Sequence, residues 1–397
     1  MKIALVTQGY QSAGGVQAVA RWIVEEIQSS GHDVHVFNIG ASSRDSLSRR
    51  LTSPSTWGNG VGVQRDAYEL NVTHVGTALA ELEPIRYLPT RALSDALSEY
   101  DVVQIVAGGP ALALAAARSG RPTILQVATR VRWERSSIIP ALRFVKRLAL
   151  VTTTRIVEAM EPAALRAADV VLVENHEMAR EVARLGGEQR VVLAPPGVDT
   201  GLFIPAPTGW NPDGPIVSVG RLGEPRKAWS RIFRSYATLR AQFSEAPQLI
   251  IAGRGRLNAS DRAVLADLGL TDDVTVLEDL PQHKIIEVMQ SASVFWQASH
   301  EEGLGIAAVE AMACGLPVIA TSTAGTDMTV ADGKTGHLVA QEAADDPQTF
   351  AGLTETMLTR RDHAFAQAAR DHAVDHFSSE ATFAPYLDAY VRLTGRA

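Results

Sequence analysis

The chain has 397 residues, of which 46% are hydrophobic and 20% charged, and its formal net charge at pH 7 is −7. This length is sufficient for two or three domains, and the acidic balance argues against a nucleic-acid partner. Cys314 is the only cysteine, so a disulfide within the chain is excluded and a thiolate metal site is disfavoured. The N-terminal apolar run is too short for a secretory signal, and no stretch reaches the length of a membrane span, so the expected location is cytoplasmic.

The first half of the chain alternates short apolar strands with helical patterns. A strand is predicted at 3–6, a glycine-containing loop follows at 8–15, and a helix with one apolar face begins near Val16. Residues 40–60 show no periodicity, which indicates an irregular surface segment. Further strands are predicted at 34–37, 102–106, 123–127, 170–173 and 191–193. Nearly continuous apolar strands between helices indicate a parallel sheet covered on both faces.

The second half repeats this alternation after a cluster of proline and glycine at 205–215, which is the best linker candidate. Strands are predicted at 216–219, 249–252, 274–277, 293–298 and 318–320. We therefore predict an α/β protein with two Rossmann-like domains facing each other across a cleft. Their expected limits are 1–205 and 206–375, with a C-terminal helix at 376–397 that returns to the first domain.

Two carboxylates in the second half flank a glycine loop. Glu302 and Glu310 are separated by residues 303–305 and by the beginning of a helix, and apolar strands are predicted on both sides. In such a strand–loop–helix–strand unit, the loop lies at the carboxyl edge of a parallel sheet, where ligands bind. Carboxylates at this place favour a polar ligand that is rich in hydroxyl groups.

Two cations follow the first strand of the second domain. Arg221 and Lys227 belong to the segment GRLGEPRK, which is predicted to lie on the same sheet edge as Glu302. Two cations beside a glycine loop and helix N-termini suit a diphosphate and can neutralise it without a metal. The alternative is that both are surface charges at a domain entrance. The neighbouring Glu302–Glu310 segment makes the diphosphate interpretation the preferred one.

These motifs resemble those of the family-4 retaining glycosyltransferases of the GT-B fold. The matching segments are GRLGEPRK, the stretch EEGLGIAAVEAMACGLPVIAT that begins at Glu301, the Gly14–Gly15 loop, and PGVD at 196–199. They span both domains, and the GRxxEPRK form is most similar to phosphatidylinositol mannosyltransferases. The resemblance implies an acceptor-side first domain and a second domain that binds a nucleotide sugar.

The resemblance also implies an activity and a site. The expected reaction moves a hexose-type sugar from a nucleotide-diphosphate donor, such as a UDP- or GDP-hexose, to an acceptor hydroxyl. Arg221 and Lys227 would hold the diphosphate, Glu302 the sugar hydroxyls and Glu310 the ribose. The implied catalytic residues are Arg221, Lys227 and Glu302, and the implied donor-binding residues are Gly14, Gly15, Gly303, Leu304, Gly305 and Glu310.

No metal or cofactor is predicted, because the sequence has no Asp-x-Asp pair and the two cations can take the place of a divalent ion. No carboxylate nucleophile is evident, so the resemblance implies retention through departure and attack on the same face of the sugar. The alternative is a non-catalytic protein that binds a nucleotide sugar or sugar phosphate. Among other GT-B enzymes, an epimerase is disfavoured by the Glu302–Glu310 spacing, and a phosphorylase by the lack of a lysine segment typical of pyridoxal-phosphate enzymes. A dehydrogenase is disfavoured because no Gly-x-Gly-x-x-Gly follows the first strand.

The acceptor side departs from the family pattern. Ala128 follows the strand after which many relatives carry a histidine, and Gln104 stands where another histidine is frequent. In the second domain, Met328, beside Asp327, replaces a glutamate that is usual in the family. No catalytic histidine is therefore assigned. The acceptor stays open among a lipid carrier, a glycan and a small natural product.

The segment 130–155 is locally basic, with apolar residues between its cations. Its cations are Arg130, Arg132, Arg135, Arg143, Lys146, Arg147 and Arg155, against the single acidic residue Glu134. One interpretation is peripheral contact with an anionic membrane surface at the inner membrane face, or with a phosphate-bearing acceptor. The other, which we favour from the sequence, is a helix packed on the first domain with a solvated basic face.

Overall fold

The structure is a computed structural model that describes residues 1–12, 14–40, 45–57, 61–67, 69, 71–186 and 190–396. Parts of the predicted irregular segment 40–60 and of the glycine loop 8–15 lie outside the described residues. Contacts divide the chain into two compact units. The first unit contains Met1–Pro196 and Thr382–Ala397, and the second contains Gly197–Ala381.

The first unit contains an eight-stranded sheet in the order β3-β4-β2-β1-β5-β6-β7-β8. Its strands are β1 (Lys2–Gln8), β2 (Asp33–Ile39), β3 (Val63–Arg65), β4 (Val72–Val75), β5 (Val102–Ala107), β6 (Thr123–Val127), β7 (Val170–Val173) and β8 (Val191–Leu193). All neighbours pair in parallel except β3 and β4, which are antiparallel. Each predicted strand of this half lies within an observed one.

Helices cover the sheet of the first unit. They are α1 (Gly15–Ser29), α2 (Glu83–Arg86), α3 (Arg91–Leu97), α4 (Val131–Arg135), α5 (Phe144–Ala167) and α6 (His176–Gly186), with 3₁₀ turns at Pro54–Thr56, Pro110–Ala116 and Ile139–Ala141. The predicted apolar face of the first helix is confirmed, because the buried residues of α1 recur at helical spacing from Val19 to Ile27. All five residues of β6 are buried, as expected for a central parallel strand.

The second unit contains a six-stranded parallel sheet in the order β11-β10-β9-β12-β13-β14. Its strands are β9 (Ile216–Val219), β10 (Leu249–Gly253), β11 (Val274–Glu278), β12 (Val294–Gln297), β13 (Val318–Thr321) and β14 (Gly336–Val339). The chain runs outward from β9 to β11 and then returns to the other side of β9 with β12. The sheet therefore has its topological switch point between β9 and β12, where loops diverge and ligands bind in α/β folds.

Helices of the second unit lie between these strands and after the last of them. They are α7 (Trp229–Gln242), α8 (Ala259–Asp267), α9 (Gln282–Ser291), α10 (Ile306–Ala313), α11 (Thr326–Thr329), α12 (Pro347–Arg360), α13 (His363–Phe377) and α14 (Ser379–Thr382), with 3₁₀ turns at Pro225–Lys227 and Ala343–Asp345. Helix α10 is short and lies between β12 and β13, as the motif predicts. Its residues Ala308, Val309 and Met312 are completely buried in the core of the unit.

The observed unit boundaries differ from the predicted domain limits. The first boundary lies at Pro196–Gly197 rather than after residue 205, because Val198 and Phe203 are buried in the core of the second unit. The chain returns to the first unit at Thr382 rather than at 376. The reason is that Phe377 belongs to the same core, and its carbonyl accepts a 2.8 Å hydrogen bond from the Val198 N–H.

The C-terminal helix α15 (Ala384–Thr394) packs within the first unit. The Tyr386 hydroxyl contacts Gln126 Oε1 and the Ala194 carbonyl, both at 3.0 Å. The Tyr390 hydroxyl donates to Gln104 Oε1 at 3.0 Å. These buried hydrogen bonds anchor the end of the chain to the strands β5 and β6.

Candidate functional site

Two loops meet at the switch point of the second sheet. One loop follows β9 and contains the 3₁₀ turn Pro225–Lys227, and the other follows β12 and leads into α10. The two strands pair in parallel, with Val294 opposite Ile216. The His300 N–H donates a 2.8 Å hydrogen bond to the Arg226 carbonyl and joins the loops directly. This arrangement places Arg221, Lys227 and Glu302 on one sheet edge.

Lys227 and Glu302 form an ion pair at this edge. Lys227 Nζ lies 2.7 Å from Glu302 Oε1, and the two side chains are only 14% and 8% exposed. Burial acts to raise the pKa of Glu302, but attraction to Lys227 and Arg226 outweighs it and holds that pKa below its ordinary value. Glu302 is therefore a carboxylate at neutral pH, and its oxygens can only accept hydrogen bonds.

Arg226 is a site residue that the sequence analysis did not select. Its Nη1 donates to Glu301 Oε2 at 2.6 Å and its Nε to Glu224 Oε1 at 3.0 Å, so it ties together the loops after β9 and β12. Burial disfavours its charge, yet the carboxylates of Glu302, Glu224 and Glu301 raise the pKa of Arg226 above its ordinary value. The only sequence signal was its place beside Lys227 in a motif with two nearby glutamates.

Arg221 is more exposed than the other two cations. Its Nε lies 2.7 Å from Glu224 Oε2, and its side chain is 49% exposed. The charges of this cluster therefore balance: Arg221, Arg226 and Lys227 face Glu224, Glu301 and Glu302. An incoming anion has to replace carboxylates at these cations rather than fill an empty positive pocket.

The glycine loop before α10 has a fixed backbone geometry. Gly305 caps the helix with φ +84°, a conformation that side-chain-bearing residues rarely adopt. Leu304 is 2% exposed and packs in the core, so only its backbone can face a ligand. The Gly325 N–H donates to the Glu302 carbonyl at 3.1 Å and supports the loop from the following strand connection.

Glu310 lies on the second turn of α10, on the side of the helix that is not completely buried. Burial raises its pKa to about 8, so the carboxyl group is largely protonated at neutral pH. Among the hydrogen bonds and ion pairs of the described residues, none involves the Glu310 side chain. Its carboxyl group is therefore available to a ligand that supplies hydroxyl partners.

Both units of the chain match models of known protein families. The family model for glycosyltransferase family 4 matches residues 13–202, and the model for group 1 glycosyl transferases matches residues 204–372. The chain belongs to the family 4 and group 1 glycosyltransferases. The predicted resemblance is thereby confirmed across both units.

The curated relatives are similar over part of their length. A D-inositol 3-phosphate glycosyltransferase from Mycolicibacterium vanbaalenii is 32% identical over 250 residues, which cover 57% of this chain and 53% of the relative. One of the same name from Stackebrandtia nassauensis is 32% identical over 218 residues, covering 51% and 48%. The chain thus spans about half the length of the curated relatives it matches.

Solved structures share the whole fold. The sucrose-phosphate synthase of Thermosynechococcus elongatus superposes with a TM-score of 0.73 at 21% identity, covering 100% of both chains. HepE of Anabaena, solved in complex with UDP-glucose, has a TM-score of 0.72 at 18% identity and covers 99% of this chain and 100% of its own. The predicted GT-B fold, with two parallel-sheet α/β domains, is confirmed for this glycosyltransferase-family chain.

In the first unit, Gly14 is the N-cap of α1 and Gly15 its first residue, directly after the loop that follows β1. Hydrogen bonds hold the described part of this loop: the Tyr10 N–H donates to Asn38 Oδ1 at 3.1 Å, and Arg21 donates to the Tyr10 carbonyl at 3.1 Å. A Cβ atom on Gly15 would meet no atom within 4 Å. Steric crowding within the protein therefore does not explain why residue 15 is a glycine.

A polar network beside that loop was missed by sequence analysis. Asn38 Nδ2 donates to His74 Nδ1 at 3.0 Å, so His74 Nε2 carries the proton and donates to Asp66 Oδ2 at 2.8 Å. Gln11, from the glycine loop, donates to the same Asp66 oxygen at 2.9 Å. His74 lies on β4, a short strand that the hydrophobic pattern did not reveal. The network positions the loop after β1 against β2 and β4.

Two cations of the basic segment 130–155 are not part of a solvated basic face. Arg130 is 3% exposed; its Nε donates to Glu161 Oε2 at 2.7 Å, and it also contacts Glu158 and Glu181. Arg135 donates to Glu83 Oε1 at 2.6 Å and is only 13% exposed. These two residues stabilise the packing of α4 against neighbouring helices, which corrects the interpretation of the whole segment as a basic surface.

Two properties of the described residues concern metal binding and membrane spanning. No group of three or more histidine, cysteine, aspartate or glutamate side chains there has the arrangement of a metal site. None of the helices in the described ranges is long and apolar enough to cross a membrane. Metal independence itself stays a prediction that needs an experiment.

Proposed function

We propose that this chain is a metal-independent, retaining glycosyltransferase that moves a hexose-type sugar from a nucleotide-diphosphate donor to an acceptor hydroxyl. The observation that carries the proposal is the buried pair of Lys227 and Glu302, 2.7 Å apart at the switch point of the second sheet. Family membership supports glycosyl transfer, and the alternative of a non-catalytic binding protein has no support among the comparisons.

The proposed donor exchanges partners with the charged cluster. Its diphosphate takes over contacts of Lys227 and Arg221, while sugar hydroxyls donate to the Glu302 carboxylate that Lys227 releases. The two cations then stabilise the charge that develops on the leaving diphosphate. The N-terminus of α10, with the backbone of Gly303, Leu304 and Gly305, adds a favourable electrostatic potential for the same group.

The remaining predicted contacts complete the donor site in this proposal. Glu310 binds the ribose hydroxyls, and Gly14 and Gly15 of the first unit contribute backbone contacts to the donor. The HepE structure named above contains UDP-glucose, which makes UDP-hexoses the first donors to assay, followed by GDP-hexoses. The names of the curated relatives make a phosphorylated cyclitol the first acceptor to assay, before glycans and lipid carriers.

Thermal unfolding in the presence of UDP-, GDP- and TDP-hexoses tests donor binding. We expect one donor class to raise the unfolding midpoint, and we expect excess EDTA to leave that increase unchanged. If none of these donors stabilises the chain, the proposal is wrong. Stabilisation without any sugar transfer or donor hydrolysis would instead support the binding-protein alternative.

Variants of Lys227 and Glu302 test the roles that the proposal gives to this ion pair. Glu302→Gln should lower kcat by about 10²–10³-fold while donor binding persists, a loss typical of a removed charge-stabilising group. Lys227→Met alone leaves a buried carboxylate without its partner, so the double variant Lys227→Met/Glu302→Gln separates lost stability from lost chemistry. Glu245→Gln is the matched control, because it changes an exposed glutamate that is distant in sequence from Glu302. Equal turnover of Glu302→Gln and the parent would refute the role assigned to Glu302. Retention is tested separately, by NMR assignment of the anomer in the product.

A further inference from the structure

The N-terminal end of α5 is an exposed surface with an unusual composition. We define the α5 tip as residues 143–148. Phe144 is 81% exposed, Val145 77% and Leu148 59%, which makes them the most exposed large apolar side chains of the described residues. Helix residues buried against the first unit begin only at Thr154. The tip therefore presents apolar side chains to solvent where a surface helix ordinarily presents polar ones.

The α5 tip also carries uncompensated positive charge. Arg143, Lys146 and Arg147 are exposed, and no acidic residue occurs in the sequence from 135 to 157. In the described part of segment 130–155, the ion pairs are those of Arg130, Arg132 and Arg135, and none involves these three cations. The N-terminus of α5 adds its own partial positive charge at the same place.

We propose that the α5 tip docks this chain on an anionic lipid bilayer, with Phe144, Val145 and Leu148 entering the interfacial region and the three cations contacting lipid phosphates. Apolar side chains flanked by arginine and lysine are the pattern of helices that bind at such interfaces. The proposed attachment is peripheral, through side chains at one end of a surface helix.

Charge favours the bilayer over a second copy of the chain. A symmetric contact through the α5 tip would bring two sets of the same three cations together, which is repulsive. The positive tip also contrasts with the net charge of −7 of the whole chain, so an anionic surface attracts the tip and repels much of the remaining protein. Such a charge distribution orients the molecule on the membrane.

Vesicle flotation with the full chain tests this proposal and requires no donor or acceptor. We expect binding to vesicles of phosphatidylcholine mixed with phosphatidylglycerol, no binding to phosphatidylcholine alone, and loss of binding as salt is raised. Each cation near an anionic surface contributes about fivefold to the partition coefficient, so Lys146→Glu/Arg147→Glu should lower it by at least about 25-fold. Phe144→Ser/Val145→Ser/Leu148→Ser should leave only weak binding that salt abolishes.

Matched controls are Arg118→Glu and Val391→Ser, which change an exposed cation and a 40% exposed valine elsewhere on the first unit. Both should bind vesicles like the parent. The proposal is overturned if the parent fails to bind anionic vesicles at low salt, or if the tip variants bind as well as the parent. It is also overturned if sedimentation velocity shows that the parent is an oligomer that the tip variants dissociate. Donor-induced thermal stabilisation is scored separately, so failure of docking leaves the proposed transferase activity to its own test.

Discussion

Replacing Glu310 by glutamine should change how the stability of the chain depends on pH. The Glu310 carboxyl group has a pKa of about 8, against an ordinary value of 4.5, and burial is the cause. The native state therefore binds this proton more tightly than the unfolded state. The resulting stabilisation is complete below about pH 4.5 and is lost as the pH rises through about 8. Glutamine has nearly the same shape and does not titrate.

The size of the effect follows from the pKa difference. At 1.36 kcal/mol per pH unit, the shift from 4.5 to about 8 sets an upper bound of about 5 kcal/mol. Because the Glu310 side chain keeps some contact with solvent, we expect roughly 2 kcal/mol. Glu310→Gln should have the same free energy of unfolding as the parent near pH 5. Near pH 9 it should be more stable than the parent by this amount.

Thermal unfolding midpoints of parent and variant, measured in parallel between these pH values, provide the assay. A stability difference of about 2 kcal/mol corresponds to a shift of roughly 4–8 °C for domains of this size. Glu245→Gln, at an exposed position, should show no such trend. A difference that stays constant with pH would show that Glu310 does not titrate in this range. A variant less stable than the parent near pH 9 would show that the carboxylate has a stabilising partner.

Three further predictions concern contacts that hold the fold together. Arg226→Met should destabilise the chain by about 3–5 kcal/mol, because Glu224 and Glu301 lose their buried partner, and Arg226→Lys should retain part of that stability in denaturant titrations. Gly253→Ala should cost more than about 4 kcal/mol, because its Cβ would lie 1.7 Å from the Gly220 carbonyl oxygen; Gly255→Ala, with no atom within 4 Å, should cost only about 1 kcal/mol in the same assay. Tyr386→Phe should cost about 1–3 kcal/mol, since Gln126 and Ala194 lose a buried hydrogen-bond partner, and limited proteolysis should detect earlier release of α15.

The sequence predicted the strands and helices that have a strong apolar pattern. The runs at 3–6, 123–127 and 318–320 are nearly continuous in apolar residues and are buried, so their pattern indicates central strands of a parallel sheet. Strand β3 was missed because all three of its residues are exposed, and β4 because it has only four residues, one of them His74. Short strands at a sheet edge or next to it depend on pairing with a neighbour, and no local pattern encodes that pairing.

The unit boundary was misplaced for a similar reason. The proline- and glycine-rich stretch 205–215 looks like a linker, and its composition does suit turns. The residues before it, however, pack in the core of the second unit, where Arg370 donates to the Phe203 carbonyl at 2.8 Å. Tertiary contacts with a helix more than a hundred residues away decide where the unit begins, and composition cannot show them.

The charged site illustrates the same division between local and tertiary information. Motif spacing placed Arg221, Lys227 and Glu302 on one sheet edge, and the structure brings them there. Arg226 was missed because its partner Glu301 lies on another loop, and the two meet only through the pairing of β9 with β12. Its role became visible only once the strand order placed the two loops together.

The balance of charge at this site leads to a last prediction, which depends on the proposed function. Three cations face three carboxylates, so a ligand that brings only anionic oxygens takes over cations and leaves carboxylates without partners. A nucleotide sugar brings hydroxyl donors for Glu302 together with its diphosphate, so Glu302 gains partners in place of Lys227, while Glu224 keeps its contact with Arg226. We therefore expect the intact donor to bind more tightly than the corresponding nucleoside diphosphate, and to raise the unfolding midpoint more at the same ligand concentration. The difference should disappear in Glu302→Gln, which has no carboxylate to leave unpaired. Equal stabilisation by both ligands in the parent would contradict this exchange of partners and would place the sugar away from Glu302.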